Sequence, residues 1–127
     1  MADYPDFDLY IETSSMSDVR KTLSTLKADI VSESDRYMEF SIARPGQDDL
    51  EGFVTRNTEE GSSQIILSSY EFTGGESIFL GYVDLIWDAF AENTSYDMRL
   101  EQFGETISSQ FTRYRIDGVV SEEPVAA

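Results

Sequence analysis

The segment FDLYIETSSMSDVRKTLSTLKADI, residues 7–30, contains the change of hydrophobic period that decides the predicted fold. Its first residues, 7–13, alternate apolar and polar side chains, which is the pattern of a half-buried β-strand. After capping residues at 14–17, the apolar positions from Met16 onward are spaced three and four apart. That spacing is typical of one face of an amphipathic helix, which we expect to end near residues 27–29.

Further strands are predicted downstream of this helix. Residues 36–43 alternate clearly, and a turn-forming Arg-Pro-Gly-Gln-Asp stretch follows them. Strands succeeding one another through short polar connections favour an antiparallel sheet. The predicted strands of this region are 30–33, 36–43, 51–57 and 64–72.

A second helix is predicted after Gly74-Gly75, with Ser77 as a possible cap and an end near Glu92. Thr94 and Asp97 are a plausible start for a third helix. The stretch 112–120 fits either the continuation of that helix or a closing strand, and the pattern leaves both open. The wide apolar stripe of the second helix consists of Phe79, Tyr82, Val83, Ile86, Trp87 and Phe90.

These elements predict an α+β fold with two layers: a mainly antiparallel sheet of 4–5 strands packed by 2–3 helices. Residues 1–120 are expected to form a single domain, followed by a frayed acidic tail at 121–127. The length of 127 residues suits one domain, and 40% hydrophobic residues supply a core.

The charge is strongly one-sided: 25 acidic residues oppose 9 basic ones, for a net charge of −16. Self-repulsion of that size opposes the compact state. Either a salt-rich environment screens it or a basic partner meets it. Because the acids occur in every tract of the chain, we expect salt adaptation, as in a halophilic organism, and treat a specific acidic surface as the alternative.

Several kinds of chemistry are disfavoured by composition. Without His and Cys, the chain lacks the usual zinc ligands, thiolate chemistry and the side chain that titrates near neutrality. No cofactor, metal site or catalytic residue is therefore predicted, although carboxylate pairs for acid–base work cannot be told apart among so many acids. Direct nucleic-acid binding is not expected, because a local basic cluster such as Arg113 and Arg115 is too small against 25 acidic residues.

The expected location is cytoplasmic. The acidic N-terminus shows no basic region followed by an apolar run. No stretch approaches the roughly 18 consecutive apolar residues of a membrane span, and Asp84 and Asp88 interrupt the richest one.

The predicted partner-binding residues lie on the second helix. Asp84, Asp88 and Glu92 are four residues apart, so they form one acidic ridge. Trp87 borders the ridge, where a partly exposed aromatic side chain could anchor a partner. The alternative is that the ridge is simply the solvated face of the helix.

Other candidates carry weaker signals. Asp48, Asp49 and Glu51 could supply oxygen ligands to a cation, but the calcium-loop pattern is not met. The Gly74-Gly75 pair lacks the lysine of a phosphate-binding loop and is expected to be a flexible turn. Three tyrosines and the tryptophan could line a small-molecule pocket or belong to the core: Tyr10, Tyr37, Tyr70 and Trp87.

We therefore expect a non-enzymatic protein–protein interaction domain, such as an inhibitor, an immunity-type protein or a regulatory accessory subunit. Its partner would be another protein with a basic surface. One alternative is a small-ligand-binding module or minor enzyme with a pocket between sheet and helices. Another is a nucleic-acid mimic that binds a basic protein, which requires the acids to gather on one face.

Overall fold

The computed structural model describes residues 5–57, 63–103 and 111–124. Within these ranges the chain forms eight strands and two helices. In chain order they are β1 (Asp6–Ile11), α1 (Met16–Thr25), β2 (Asp29–Glu33), β3 (Tyr37–Ile42), β4 (Leu50–Arg56), β5 (Ile65–Ser69), α2 (Glu76–Asn93), β6 (Met98–Phe103), β7 (Phe111–Ile116) and β8 (Val119–Pro124).

All the strands join one antiparallel sheet in the order β2-β3-β4-β5-β1-β6-β7-β8. The α+β class and the antiparallel sheet are confirmed. The predicted 4–5 strands are wrong, because the chain after α2 returns to the sheet and adds three strands beyond β1. The first strand consequently lies inside the sheet, between β5 and β6.

The predicted third helix is also wrong. Thr94 is the C-cap of α2, and its hydroxyl donates to the carbonyl of Phe90 at 2.7 Å. The following residues form β6, in which Met98 and Leu100 lie opposite Ile11 and Leu9 of β1. Hydrogen bonding of this segment to the central strand β1 therefore outweighs the helical spacing of its apolar residues. The remainder of the predicted helix around Ile107 lies outside the described residues.

The predicted C-terminal tail requires a correction too. Residues 121–124 belong to β8, which pairs with β7 along its whole length. Asp117 and Gly118 form the connecting turn, with φ of 51° and 81°, and this left-handed conformation suits a two-residue hairpin. The Arg113 guanidinium contacts the Glu122 carboxylate at 2.7 Å. The last residues, 125–127, lie outside the described ranges.

Both helices pack on the same side of the sheet, and the core lies between the two layers. We call this side the covered face and the other the open face. Ser15 caps α1 by accepting a hydrogen bond from the Asp18 amide at 3.2 Å. The N-cap of α2 is Gly75, with φ of 98°, rather than Ser77. Fully buried side chains from both layers include Phe7, Leu9, Ile11, Leu23, Phe40, Leu67, Phe79, Tyr82 and Phe90.

Candidate functional site

The open face is the part of the sheet that the helices leave accessible. On β1, Phe7, Leu9 and Ile11 are buried towards the helices, so Asp8 and Tyr10 point the other way. No described helix packs against this side. Asp8 and Tyr10 are half-buried, so part of each side chain remains accessible on the open face.

Strand register arranges the open face into two parallel rows that cross the sheet. One row is mainly aromatic and apolar. The other carries carboxylates at four of its seven positions. From β3 to β8, the aromatic row is Tyr37, Thr55, Ile66, Tyr10, Arg99, Tyr114 and Ser121. The acidic row beside it is Glu39, Phe53, Ser68, Asp8, Glu101, Thr112 and Glu123.

At the β3–β5 end, three aromatic side chains and one carboxylate form a contiguous group, which we call the aromatic patch: Tyr37, Phe53, Tyr70 and Glu39. The Phe53 ring lies 4.9 Å from the Tyr70 ring and 6.3 Å from the Tyr37 ring, centroid to centroid. Tyr70 is 39% exposed, the highest value among the aromatic residues of this group. The patch is therefore an accessible aromatic surface.

Hydrogen bonds hold the patch in place. The Tyr37 hydroxyl donates to Glu39 Oε1 at 2.7 Å and lies 3.0 Å from the Tyr70 hydroxyl. Tyr70 also approaches the same carboxylate oxygen, at 3.4 Å. The hydrogen bond with Tyr70, and then that with Glu39, raise the pKa of Tyr37. The Tyr37 hydroxyl thus stays protonated as a donor at neutral pH.

Further along the aromatic row, the Arg99 guanidinium lies over the Tyr10 ring, 4.2 Å from its centroid. Arg99 Nε also lies 3.2 Å from the Glu101 carboxylate. The arginine is thus bound by an aromatic face and an acid together. Next to it, Tyr10, Arg99, Tyr114 and Ile116 help to line an open groove of about 250 Å³.

Two Asp–Ser pairs link β1 to β5, and the pair of Asp8 and Ser68 lies at the centre of the open face. Ser68 Oγ donates to Asp8 and Ser69 Oγ donates to Asp6, each at 2.5 Å. Partial burial is the largest influence on Asp6 and raises its pKa, although the hydrogen bonds from Ser69 and the Phe7 amide oppose that shift.

The predicted ridge on α2 is present in part. Asp84, Asp88 and Glu92 are exposed along the helix. Trp87, however, is 4% exposed and belongs to the core, so the partly exposed anchor predicted there is wrong. The Arg113 guanidinium covers it at 5.2 Å from the ring and approaches Asp84 at 3.5 Å. One acid of the ridge therefore already faces a cation of the same chain.

Arg115 likewise has a structural role. It is 6% exposed, and its guanidinium donates to the Ala91 and Tyr96 carbonyls and to the Thr94 hydroxyl. It thereby satisfies backbone acceptors where α2 ends. Burial lowers its pKa, and the nearby Asp97 carboxylate opposes that shift.

The loop acids do not form a metal site in the described ranges. Asp48, Asp49 and Glu51 line a surface cleft with Glu71. Among the residues that the structure describes, no group of three or more potential ligands is placed to hold a metal ion. Tyr82 anchors this loop instead, donating from its hydroxyl to the Asp48 carbonyl at 2.8 Å.

The larger cleft lies between α1 and the end of α2, with a volume of about 600 Å³. Its lining is polar and includes Asp18, Lys21, Asn93 and Tyr96. Tyr96 donates its hydroxyl to the Asp18 carboxylate across the cleft. Neither helix in the described part of the chain has the length and apolar character that crossing a membrane requires.

Comparison with known proteins found no family model, no curated protein and no solved structure that matches the chain. The sheet and its side chains therefore carry the functional argument. Tyr10, Tyr37 and Tyr70, which were predicted to be pocket or core residues, all lie on the open face. Phe53 and Arg99 were missed, although each alternates with buried neighbours along its strand.

Proposed function

We propose that this chain is a non-enzymatic protein-binding domain whose open face docks a partner with a basic surface. The observation that carries the proposal is a row with three half-buried tyrosines running beside an acidic row. Aromatic residues dominate the binding energy of protein interfaces, and charge complementarity directs the approach of the partner. An inhibitor, an immunity-type protein or a regulatory accessory subunit would use such a surface.

Charge favours a basic partner over a second copy of the chain. Among the strand positions described on the open face, seven are acidic and Arg99 is the one basic residue. Two identical faces of this kind would repel each other. The seven acids are Asp6, Asp8, Asp29, Glu39, Glu51, Glu101 and Glu123.

The acids outside this face support salt adaptation as a second part of the proposal. Asp84, Asp88 and Glu92 are exposed on the opposite side, and Asp35 and Asp49 are exposed in loops. A nucleic-acid mimic is less well supported, because it requires one-sided clustering. At 1 M salt the Debye length falls to about 3 Å, so a partner would be bound by direct contacts rather than long-range attraction.

The ligand-binding alternative is less well supported than docking. The larger cleft is polar and lies at the surface rather than between sheet and helices. Small-molecule sites are typically concave and mostly apolar. A thermal-shift screen with metabolites would revive this alternative if one compound raised the melting temperature.

A displayed library of random dodecapeptides tests the proposal without a known partner. Peptides are selected on the wild-type domain at 0.15 M and 2 M KCl, then assayed by fluorescence polarisation against two variants. Phe53→Ser alters the open face, and Asp88→Asn is the matched control on α2. We expect at least about tenfold weaker binding to Phe53→Ser, equal to 1.4 kcal/mol, and no change with the control.

Three results would overturn the proposal. Peptides that bind Phe53→Ser as tightly as wild type would place the interface elsewhere. Weakening by Asp88→Asn alone would return it to the ridge on α2. Failure to enrich any peptide at either salt concentration would remove the docking function. Circular dichroism of both variants verifies that each is folded.

A further inference from the structure

We propose that the aromatic patch is a binding site for an arginine side chain of the partner. This inference rests on the proposed function and deepens it, because it names the group that the open face recognises. The guanidinium would stack on the Tyr37 or Phe53 ring, with Tyr70 at its edge, and contact the Glu39 carboxylate.

The chain contains an occupied example of the same chemistry. Arg99 stacks on Tyr10 and contacts Glu101, which lies two residues along β6 on the same face. The aromatic patch repeats the combination, since Glu39 lies two residues from Tyr37 and opposite Phe53. An aromatic surface next to an acid therefore already binds a guanidinium on this face.

The patch differs in that no cation from the described residues forms an ion pair or cation–π contact with it. The ion pairs and cation–π contacts of the described residues involve other groups: Glu33, Asp84, Glu101 and Glu122 as acids, and Tyr10, Trp87 and Phe111 as rings. All nine basic residues of the chain lie within the described ranges. The arginine for this site must then come from another molecule.

The geometry favours arginine over lysine. The Tyr37 and Phe53 ring planes are inclined by 27°, so a flat group that packs parallel to one ring lies within 27° of parallel to the other. Guanidinium is planar, less strongly hydrated than ammonium, and stacks on aromatic faces. The tyrosine hydroxyls both approach Glu39 Oε1. The second carboxylate oxygen is left for a charge-assisted hydrogen bond with the guanidinium.

Titration with small probes tests this site directly. N-acetyl-arginine N-methylamide is added to the labelled domain, and the aromatic NMR signals of Tyr37, Phe53 and Tyr70 are followed. We expect saturable shifts of these signals. The lysine analogue should bind at least about fivefold more weakly, because ammonium stacks less well.

Two variants make the test specific. Glu39→Gln should weaken arginine binding at least about fivefold, because it removes the charge that faces the guanidinium. Glu92→Gln is the matched control: it removes an exposed acid from α2, away from the open face, and should leave binding unchanged.

Three outcomes would overturn the inference: shifts that do not saturate, equal binding of the arginine and lysine probes, or equal effects of the two variants. The proposed function can fail separately. If selected peptides bind the open face in a Phe53-dependent manner but lack arginine, docking stands and arginine recognition is wrong. If the arginine probe binds the patch but no peptide is enriched, arginine recognition stands and docking is wrong.

Discussion

The two faces of the sheet are built from the same strands but differ in their contact with water. On β1, Phe7, Leu9 and Ile11 are fully buried under the helices, whereas Asp8 and Tyr10 between them remain half-exposed. The covered face loses its contact with water and supplies most of the folding free energy. The open face contributes less to stability, because its side chains keep part of their contact with water.

The largest expected change in the free energy of unfolding comes from comparing one phenylalanine on each face. Phe79 is fully buried and contacts the Phe7 and Phe72 rings, each at 6.0 Å between centroids. Phe79→Ala should reduce the free energy of unfolding by about 3–5 kcal/mol, because it leaves a cavity. Phe53→Ala on the open face should cost about 1 kcal/mol. Urea unfolding at constant KCl measures both, and equal losses would mean that the open face is packed.

Replacing one arginine on each face should change the free energy of unfolding by an intermediate amount. Arg115→Met leaves buried carbonyls at the end of α2 without a donor, so it should cost about 3 kcal/mol. Arg99 is on the open face, and its side chain is 43% exposed. Arg99→Met should cost about 1 kcal/mol or less. The same urea titrations measure both variants. Equal stability losses for Arg99→Met and Arg115→Met would contradict the expected difference between the two faces.

The smallest effect concerns pH. Burial raises the pKa of Asp6 in the folded state above its ordinary 3.8. The folded state therefore holds this proton more tightly, and Asp6 lowers stability as pH rises through that range. Asp6→Asn lacks the titrating group, so its stability relative to wild type should increase from pH 3.5 to about pH 6. Urea unfolding across this range checks the sign, and a relative stability that fell would contradict it.

Hydrophobic period was a sufficient guide to the first two-thirds of the fold. Strands β1–β5 and both helices fall within a few residues of their predicted positions. The last third was harder, because the apolar residues at 96, 100 and 103 fit helical spacing and Leu100 also pairs with β1. One signal was overlooked: Asp117-Gly118 between apolar residues is a strong indication of a hairpin and would have predicted β7 and β8.

The candidate site was less predictable than the fold. Regular spacing did identify Asp84, Asp88 and Glu92 as an exposed acidic ridge. It could not show that Arg113, 26 residues further along the chain from Trp87, covers that tryptophan. The aromatic patch joins residues of three segments through strand register, which no local pattern contains.

By itself, the order of residues determined the acidic exterior, the exclusion of cysteine and histidine chemistry, and the side of each early strand that is apolar. These properties are local, since alternation along a strand is set by the geometry of single residues. Only tertiary structure decided that both helices cover one side and that β6–β8 extend the sheet. It also brought Tyr37, Phe53 and Tyr70 together on the open face. These features depend on pairing between strands that are far apart in the sequence. Contacts between such strands select a conformation that the sequence of each strand alone does not specify.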